Sequence, residues 1–382
     1  MMSSTSLMVT IAALVGEALA TDKSLATAPL SALFLGLMLT SVPASLIMGR
    51  WGRRPGFILG SLLGLTGAAI ALEAVLMKNF WQFVLGAAFI GAFNAFGGYY
   101  RFAAADLASH ATRPRAISWV MAGGVAAAFV GPNLANFGRT LFPNAPFAGG
   151  FVFVIGFYLL IFLILLIIRL PSPAAEKTTN TVHHRPLRQI ARQPAYRVAV
   201  ISAMLGYAVM SYLMTATPLA MKHHMHVFSD TAFVIQWHVL AMFAPSFITG
   251  SLIQRFGLMK ILHTGVLLAL LCIATNLLGH TLWHYWIALV ALGVSWNFLF
   301  IGATTLLTET YHPDEKAGAQ ALNDFSVYTA VTIASLSSGY FEHRYGWETV
   351  NLGALPLVAI VLASLLWLQR IPRKRWVETS SE

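Results

Sequence analysis

Long apolar segments separated by short polar stretches recur along the whole chain. They lie near residues 2–20, 24–48, 55–77, 79–105, 115–138, 147–170, 195–221, 230–254, 259–279, 282–308, 317–340 and 348–370. Most of them reach the roughly 20 apolar residues that an α-helix needs to cross a bilayer. The pattern predicts an all-α membrane protein with twelve transmembrane helices. The first segment has no polar flank before it, so we expect the written sequence to begin inside the first transmembrane helix.

The longest hydrophilic stretch divides these segments into six and six. We therefore predict an N-terminal six-helix bundle (1–170), a cytoplasmic linker (171–194), a C-terminal six-helix bundle (195–370) and a basic cytoplasmic tail (371–382). A short internal repeat supports the division, because GRWGRR follows the second segment and QRFGLM follows the eighth. In this repeat Arg50 matches Arg255, and Gly52 matches Gly257.

Composition agrees with a membrane protein. Of 382 residues, 57% are hydrophobic and 10% are charged, whereas soluble domains are about one-quarter charged. The formal net charge is +10, but the basic residues punctuate apolar segments and form no continuous stripe, so no nucleic-acid partner is expected. Cys272 is the single cysteine, which excludes an intramolecular disulfide and a cysteine-rich metal site.

The distribution of lysine and arginine predicts the orientation. If the N-terminus is cytoplasmic, the external loops hold Lys23, Lys78, Arg139, Lys222 and Arg344, and the other 19 of the 24 basic residues lie inside. Positive charge is retained on the cytoplasmic side of membrane proteins. We therefore expect a multi-pass protein in contact with the lipid bilayer, with both termini in the cytoplasm.

The loop after the second segment resembles a signature of the major facilitator superfamily. Four positions of that signature are present: Arg50, Gly52, Arg53 and Arg54. Gly49 stands where the superfamily has an aspartate, so we expect Arg50 of this gating loop to pair with Asp106 instead. The resemblance implies the major facilitator fold, with substrate bound near the bilayer midplane between the two halves.

Two pairs of potential soft-metal ligands flank the polar turn at His226. Met210 and Met214 precede it, and His238 and Met242 follow it. Each pair is spaced i,i+4, so both members share one helix face. Met214 and His238 are equally distant from the turn, as are Met210 and Met242, so antiparallel helices would place them at matching depths. Thioether and imidazole groups suit copper, especially Cu(I).

MxxxM and HxxxM in these segments resemble the paired motifs of CcoA-like copper importers, a branch of the same superfamily. The resemblance implies a bacterial inner-membrane protein that imports copper, hands it to a cytoplasmic copper acceptor and supports cytochrome oxidase assembly. Copper is then the transported substrate and not a cofactor. We expect outer-mouth capture by five residues: Glu17, His223, His224, Met225 and His226.

Other functions stay open. Relatives of the copper branch resemble riboflavin importers, and the wider superfamily includes drug exporters. A cavity for such an organic solute would be defined by Asn94 with Tyr99, Tyr100, Trp237 and Trp296. A non-transporting copper sensor or assembly partner is a further alternative. The sequence has no phosphate-binding loop or Ser/His/Asp arrangement, so an enzyme is not expected, and we expect the chain to act as a monomer.

Overall fold

Helices make up the regular structure of the computed structural model, which describes residues 1–100, 103–104, 113–168, 185–312, 315–373 and 376–377. We number the long helices in chain order: α1 Met2–Leu19, α2 Ala28–Trp51, α3 Arg53–Leu76, α4 Phe80–Gly97, α5 Arg113–Gly138, α6 Ala148–Ile167, α7 Pro194–His223, α8 Phe228–Phe243, α9 Ser246–Phe256, α10 Leu258–Leu278, α11 Leu282–Thr308 and α12 Lys316–Arg370. Lys23–Leu25 forms a short 3₁₀ turn, and Leu187–Ile190 forms one helical turn.

The predicted twelve membrane spans are confirmed. Within the described ranges, nine helices are long and apolar enough to cross a bilayer, and α8 with α9, bent by 47°, forms a tenth span. Helix α5, with 26 residues, corresponds to the apolar segment predicted near 115–138. Helix α12 has 55 residues and would be about 80 Å long if straight, enough for two crossings. It breaks at Gly346, where φ is 82°.

The internal repeat appears in the backbone as well as in the sequence. Gly52 joins α2 to α3 and Gly257 joins α9 to α10, and both have φ of 92°. With ψ of 165° and 146°, they occupy a region that is nearly restricted to glycine. Arg50 and Arg255 are both exposed in the turns before these glycines. The two halves therefore use the same connection at corresponding positions.

The halves meet mainly along three pairs of helices. Helix α1 packs on α7, α2 packs on α12, and α5 packs on α8. We call the side of the bundle where α1 begins the near side, and the side where α1 ends the far side. Both glycine connections lie on the near side, and the break at Gly346 lies on the far side.

The end of the linker is fixed to the near side of the C-terminal half. Arg185 donates two hydrogen bonds to the Glu315 carboxylate, Nε to Oε1 at 2.8 Å and Nη2 to Oε2 at 2.6 Å. This bonding holds the pKa of Glu315 at about 2, well below its usual range. Gln193 donates to the Thr310 carbonyl beside this pair. The chain is therefore anchored before α7 begins at Pro194.

Candidate functional site

A cavity of about 230 Å³ lies between the two halves. Seven long helices contribute to its wall: α1, α2, α4 and α5 from the first half, and α7, α8 and α12 from the second. The lining residues are Met1, Met2, Thr5, Ser6, Val9, Leu33, Phe34, Leu37, Asn94, Gly98, Ala127, Tyr207, Met210, Met214, Val239, Met242, Phe243 and Tyr328. This set contains no acidic or basic side chain. Because Met2 and Gly98 lie at the ends of their helices, the cavity reaches the near side.

Aromatic rings form much of the wall on the C-terminal side. Tyr207 of α7 lies edge-on to Trp296 at 5.3 Å and also contacts Phe300. Trp296 and Phe300 stack at 5.0 Å with an interplanar angle of 9°, and Phe243 meets the edge of Trp296. Such contacts fix ring orientation. The cavity therefore presents firmly held aromatic surface to a bound molecule.

The predicted metal-ligand set divides into two groups. Met210, Met214 and Met242 line the cavity. His238 is fully buried outside this lining, and its Nδ1 donates to the Leu289 carbonyl of α11 at 2.7 Å. Its Nε2 has no hydrogen-bond partner among the described residues. Three of the four proposed ligands thus share one wall, while the imidazole is held by the backbone of a neighbouring helix.

An ion-pair cluster joins the halves at the far side. Glu17 of α1 accepts from Lys222 Nζ at 2.7 Å and lies 3.4 Å from His223 Nε2. The other ring nitrogen of His223 lies 2.8 Å from the carboxylate of Glu342 in α12. Nearby, the Thr27 hydroxyl donates to the Leu336 carbonyl across the same interface. We call Glu17, Lys222, His223 and Glu342 the far-side cluster.

The predicted outer-mouth capture residues do not converge on one point. Glu17 and His223 belong to the far-side cluster. His224 stacks on His280 at 4.0 Å, whereas His226 Nε2 donates to the His280 carbonyl and Met225 is 89% exposed. Burial, together with the neighbouring His280 ring, holds the pKa of His224 below its usual range. In the described parts of the chain, no three His, Cys, Asp or Glu residues are grouped to hold a metal ion.

The gating loop is anchored partly through α6. Arg54 donates to the carbonyls of Leu165 at 3.0 Å and Leu166 at 2.7 Å, which satisfies unpaired acceptors at a helix C-terminus. Arg50 is exposed. Asp106, its expected partner, lies outside the described residues. The predicted Arg50–Asp106 pair therefore stays a prediction.

The residues expected to bind an organic solute are also distributed unevenly. Asn94 lines the cavity. Trp296 packs against the lining residue Tyr207 but is not itself part of the lining. Tyr100 packs on Phe57, and Trp237 packs on Trp286, away from the lining.

Sequence reasoning did not single out the aromatic lining, which consists of Phe34, Tyr207, Phe243 and Tyr328. It also missed Lys222 and Glu342 as cluster members. A carboxylate four residues before the glycine that interrupts α12 was the available signal for Glu342.

The family model described as Major Facilitator Superfamily matches two overlapping stretches, residues 1–274 and 199–382. The chain is 42% identical over 366 residues to the riboflavin transporter RfnT of Brucella anthropi, covering 95% of this chain and 92% of that protein. It is 29% identical over 391 residues to the uncharacterized MFS-type transporter YddS of Bacillus subtilis, covering 96% and 88%.

Solved transporter structures have a similar fold. The nucleoside transporter NupG superposes with a TM-score of 0.69 at 14% identity, covering 97% of each chain. A bacterial homologue of the human lysosomal transporter Spinster superposes with a TM-score of 0.72 at 16% identity, covering 97% of this chain and 94% of that one. At these identities the likeness concerns the fold alone.

Proposed function

The chain belongs to the major facilitator superfamily, and from this premise we propose that it is a transporter of riboflavin or a closely related neutral flavin. The observation that carries the proposal is the 42% identity, over nearly the whole length of both chains, to a riboflavin transporter. Transport of an organic solute, the alternative to copper import, is therefore favoured as the main function.

The chemistry of the cavity supports a flavin. Riboflavin combines a flat three-ring system with a hydroxylated side chain and carries no net charge near neutral pH. Tyr207, Phe243 and Phe34 offer aromatic surface for the rings. Met210 and Met214 supply flexible apolar surface that adapts to an irregular ligand. Because the lining has no charged side chain, a phosphorylated flavin would lose its hydration without gaining a counter-charge. We therefore expect riboflavin to be preferred over flavin mononucleotide.

The arrangement of the halves supports alternating access. The cavity is reached from the near side. At the far side the cluster holds α1 against α7 through Glu17, and His223 of α7 contacts Glu342 of α12 within the second half. Under the orientation that the basic residues predict, the near side is cytoplasmic and the far side is external. We propose that the chain lies in the bacterial inner membrane with both termini in the cytoplasm and imports its substrate. Separation of the far-side cluster then admits the external solute.

Copper import is the second candidate function, because three thioethers line the cavity. Met210, Met214 and Met242 could hold Cu(I) without losing a proton. The position of His238 outside the lining reduces the expected ligand set to sulfur alone. A cytoplasmic copper acceptor and a role in cytochrome oxidase assembly belong to this second candidate.

Parallel uptake measurements test the proposal. Cells that express the native chain should accumulate labelled riboflavin, and unlabelled flavin mononucleotide should compete weakly. Tyr207→Leu should raise the KM for riboflavin by roughly 2- to 10-fold, because an aromatic contact is removed while bulk is retained. Tyr340→Leu is the matched control, because Tyr340 is 46% exposed and lies outside the cavity. Equal KM values for both variants would contradict the assigned binding surface.

Radiocopper uptake by the same cells tests the second candidate. Under the flavin proposal, copper accumulation should equal that of cells without the transporter. Copper accumulation that is lost in the double variant Met210→Ile, Met242→Ile, with unchanged membrane abundance, would favour the copper function instead. Native cells that accumulate no riboflavin would refute the flavin proposal.

A further inference from the structure

Asn94 places a polar amide in the wall of an otherwise largely apolar cavity. It lies near the end of α4, and it is 6% exposed. An amide at membrane depth is costly unless it finds partners, so such a residue commonly marks a functional site. Asn94 and Thr5 face the same cavity from two helices of the first half.

The hydrogen bonds of Asn94 use only part of the bonding capacity of its amide. Nδ2 donates to Thr5 Oγ1 at 3.0 Å, which fixes the plane of the amide. Oδ1 is buried and has no hydrogen-bond partner among the described residues. An amide nitrogen carries two N–H groups, so the bond to Thr5 leaves a second donor in addition to the unpaired oxygen. The amide therefore keeps one unused acceptor and one unused donor.

Asn297 of α11 shows what a structural amide looks like in this protein. Its Nδ2 donates to the Met242 carbonyl and to Ser246 Oγ, both at 2.7 Å. Its Oδ1 accepts from Thr249 Oγ1 at 2.6 Å. This amide is saturated by contacts between helices. Asn94 differs because its unpaired oxygen belongs to a residue of the cavity wall, where a bound molecule can supply the missing donor.

The flavin ring has a complementary edge. Its pyrimidine-dione ring carries an N3–H donor flanked by two carbonyl oxygens. On the premise of the proposed flavin transport, we infer that Asn94 is the residue that recognises this edge through hydrogen bonds. Oδ1 accepts from N3–H, and the free N–H of Nδ2 donates to an adjacent ring carbonyl. The paired contact resembles the way an asparagine amide recognises a base edge. Thr5 is the positioning residue that holds the amide plane.

This assignment makes a flavin methylated at N3 the informative probe. The methyl group removes the donor and leaves Oδ1 buried without a partner in the complex. An unsatisfied buried polar group weakens binding by roughly 5- to 100-fold, and a site built around a substrate N–H rejects analogues that lack it. The native chain should therefore transport N3-methyl riboflavin with a correspondingly higher KM than riboflavin, while kcat changes little.

A two-by-two comparison tests the assignment. Asn94→Leu removes the polar edge, so the KM ratio of methylated to unmethylated riboflavin should fall from roughly 5- to 100-fold to about one. Asn94→Ala provides a smaller second variant in case the leucine impairs folding. Thr5→Val should reduce the ratio partially, because the amide loses its fixed orientation. Asn133→Leu is the matched control and should keep the native ratio, because Asn133 is exposed and its Nδ2 already donates to Phe129 and Gln236.

The outcomes separate this inference from the function it rests on. Native riboflavin uptake together with strong rejection of the methylated analogue, lost in both Asn94 variants, supports the assignment. Native uptake with the same ratio retained in the Asn94 variants overturns the role of Asn94 alone. No riboflavin uptake by the native chain overturns the flavin premise and this assignment together.

Discussion

Replacing Glu17 by glutamine removes the carboxylate through which α1 holds the second half of the molecule at the far side. Glu17 makes an ion pair with Lys222 Nζ at 2.7 Å and a second contact with His223 Nε2 at 3.4 Å, which is charged only when the imidazole is protonated. Both contacts cross between the halves. If the far side opens during transport, they must separate, and weakening them should increase the population of the open state.

The expected magnitude is modest because the partners are partly hydrated. The Lys222 side chain is 55% exposed and that of His223 is 46% exposed. An exposed ion pair is worth about 0.2–1 kcal/mol, so the Lys222 and His223 contacts together contribute about 0.4–2 kcal/mol when His223 is protonated. That energy corresponds to roughly a 2- to 30-fold increase in the open population. The bond from Lys23 Nζ to the Glu17 backbone carbonyl should be unaffected.

Thiol labelling measures this population directly. Thr27 is fully buried, and its hydroxyl bonds the Leu336 carbonyl of the other half, so a Thr27→Cys reporter should react only when the far side opens. The native Cys272 is buried and should give little background. In detergent-purified protein, Glu17→Gln should increase the maleimide labelling rate of the reporter by roughly 2- to 30-fold.

Two further variants on the reporter background make the result decisive. Glu73→Gln is the matched control, because Glu73 accepts from Gln82 within the first half and should leave labelling unchanged. Glu342→Gln should have a smaller effect than Glu17→Gln, because Glu342 bonds His223 of its own half. Equal labelling rates for Glu17→Gln and Glu73→Gln would refute the view that the far-side cluster holds the halves together.

Two stability predictions concern the near side. Gly257→Ala should lower the Tm in detergent. An added Cβ would meet no neighbouring atom there, so the cost of about 1–3 kcal/mol comes from the backbone alone, whose φ is 92°. Gly250→Ala is the control, because Gly250 lies in a helix and also has open space around it, and this variant should leave the Tm unchanged or raise it. An equal loss of Tm in the two glycine variants would argue against backbone strain at Gly257. Arg185→Gln should lower the Tm at pH 7 more than the exposed Arg188→Gln does. Because bonding to Arg185 lowers the pKa of Glu315 from 4.5 to about 2, that contribution is complete above about pH 4.5 and is lost as the pH falls toward 2. A Tm difference that grows below pH 4.5 would contradict this assignment.

The sequence by itself determined the architecture. Apolar length fixes the spans, because a backbone in lipid must satisfy its own hydrogen bonds and a helix does so locally. The two spans within α12 were visible as separate apolar segments, near 317–340 and 348–370, and the bent pair α8–α9 was visible as the single segment near 230–254. The repeat at Gly52 and Gly257 was also readable, because a backbone conformation that is nearly exclusive to glycine leaves a direct trace in the sequence.

The tertiary structure decided which side chains meet. Spacing of i,i+4 places His238 and Met242 on one face of a helix, but it does not say which neighbour that face contacts. In the folded chain Met242 lines the cavity, whereas His238 bonds α11. Likewise, Glu17 and Lys222 are separated by 205 positions and meet only because α1 packs on α7. Hydrophobicity is a local property of the chain, whereas helix rotation and the pairing of distant residues depend on how all the helices pack.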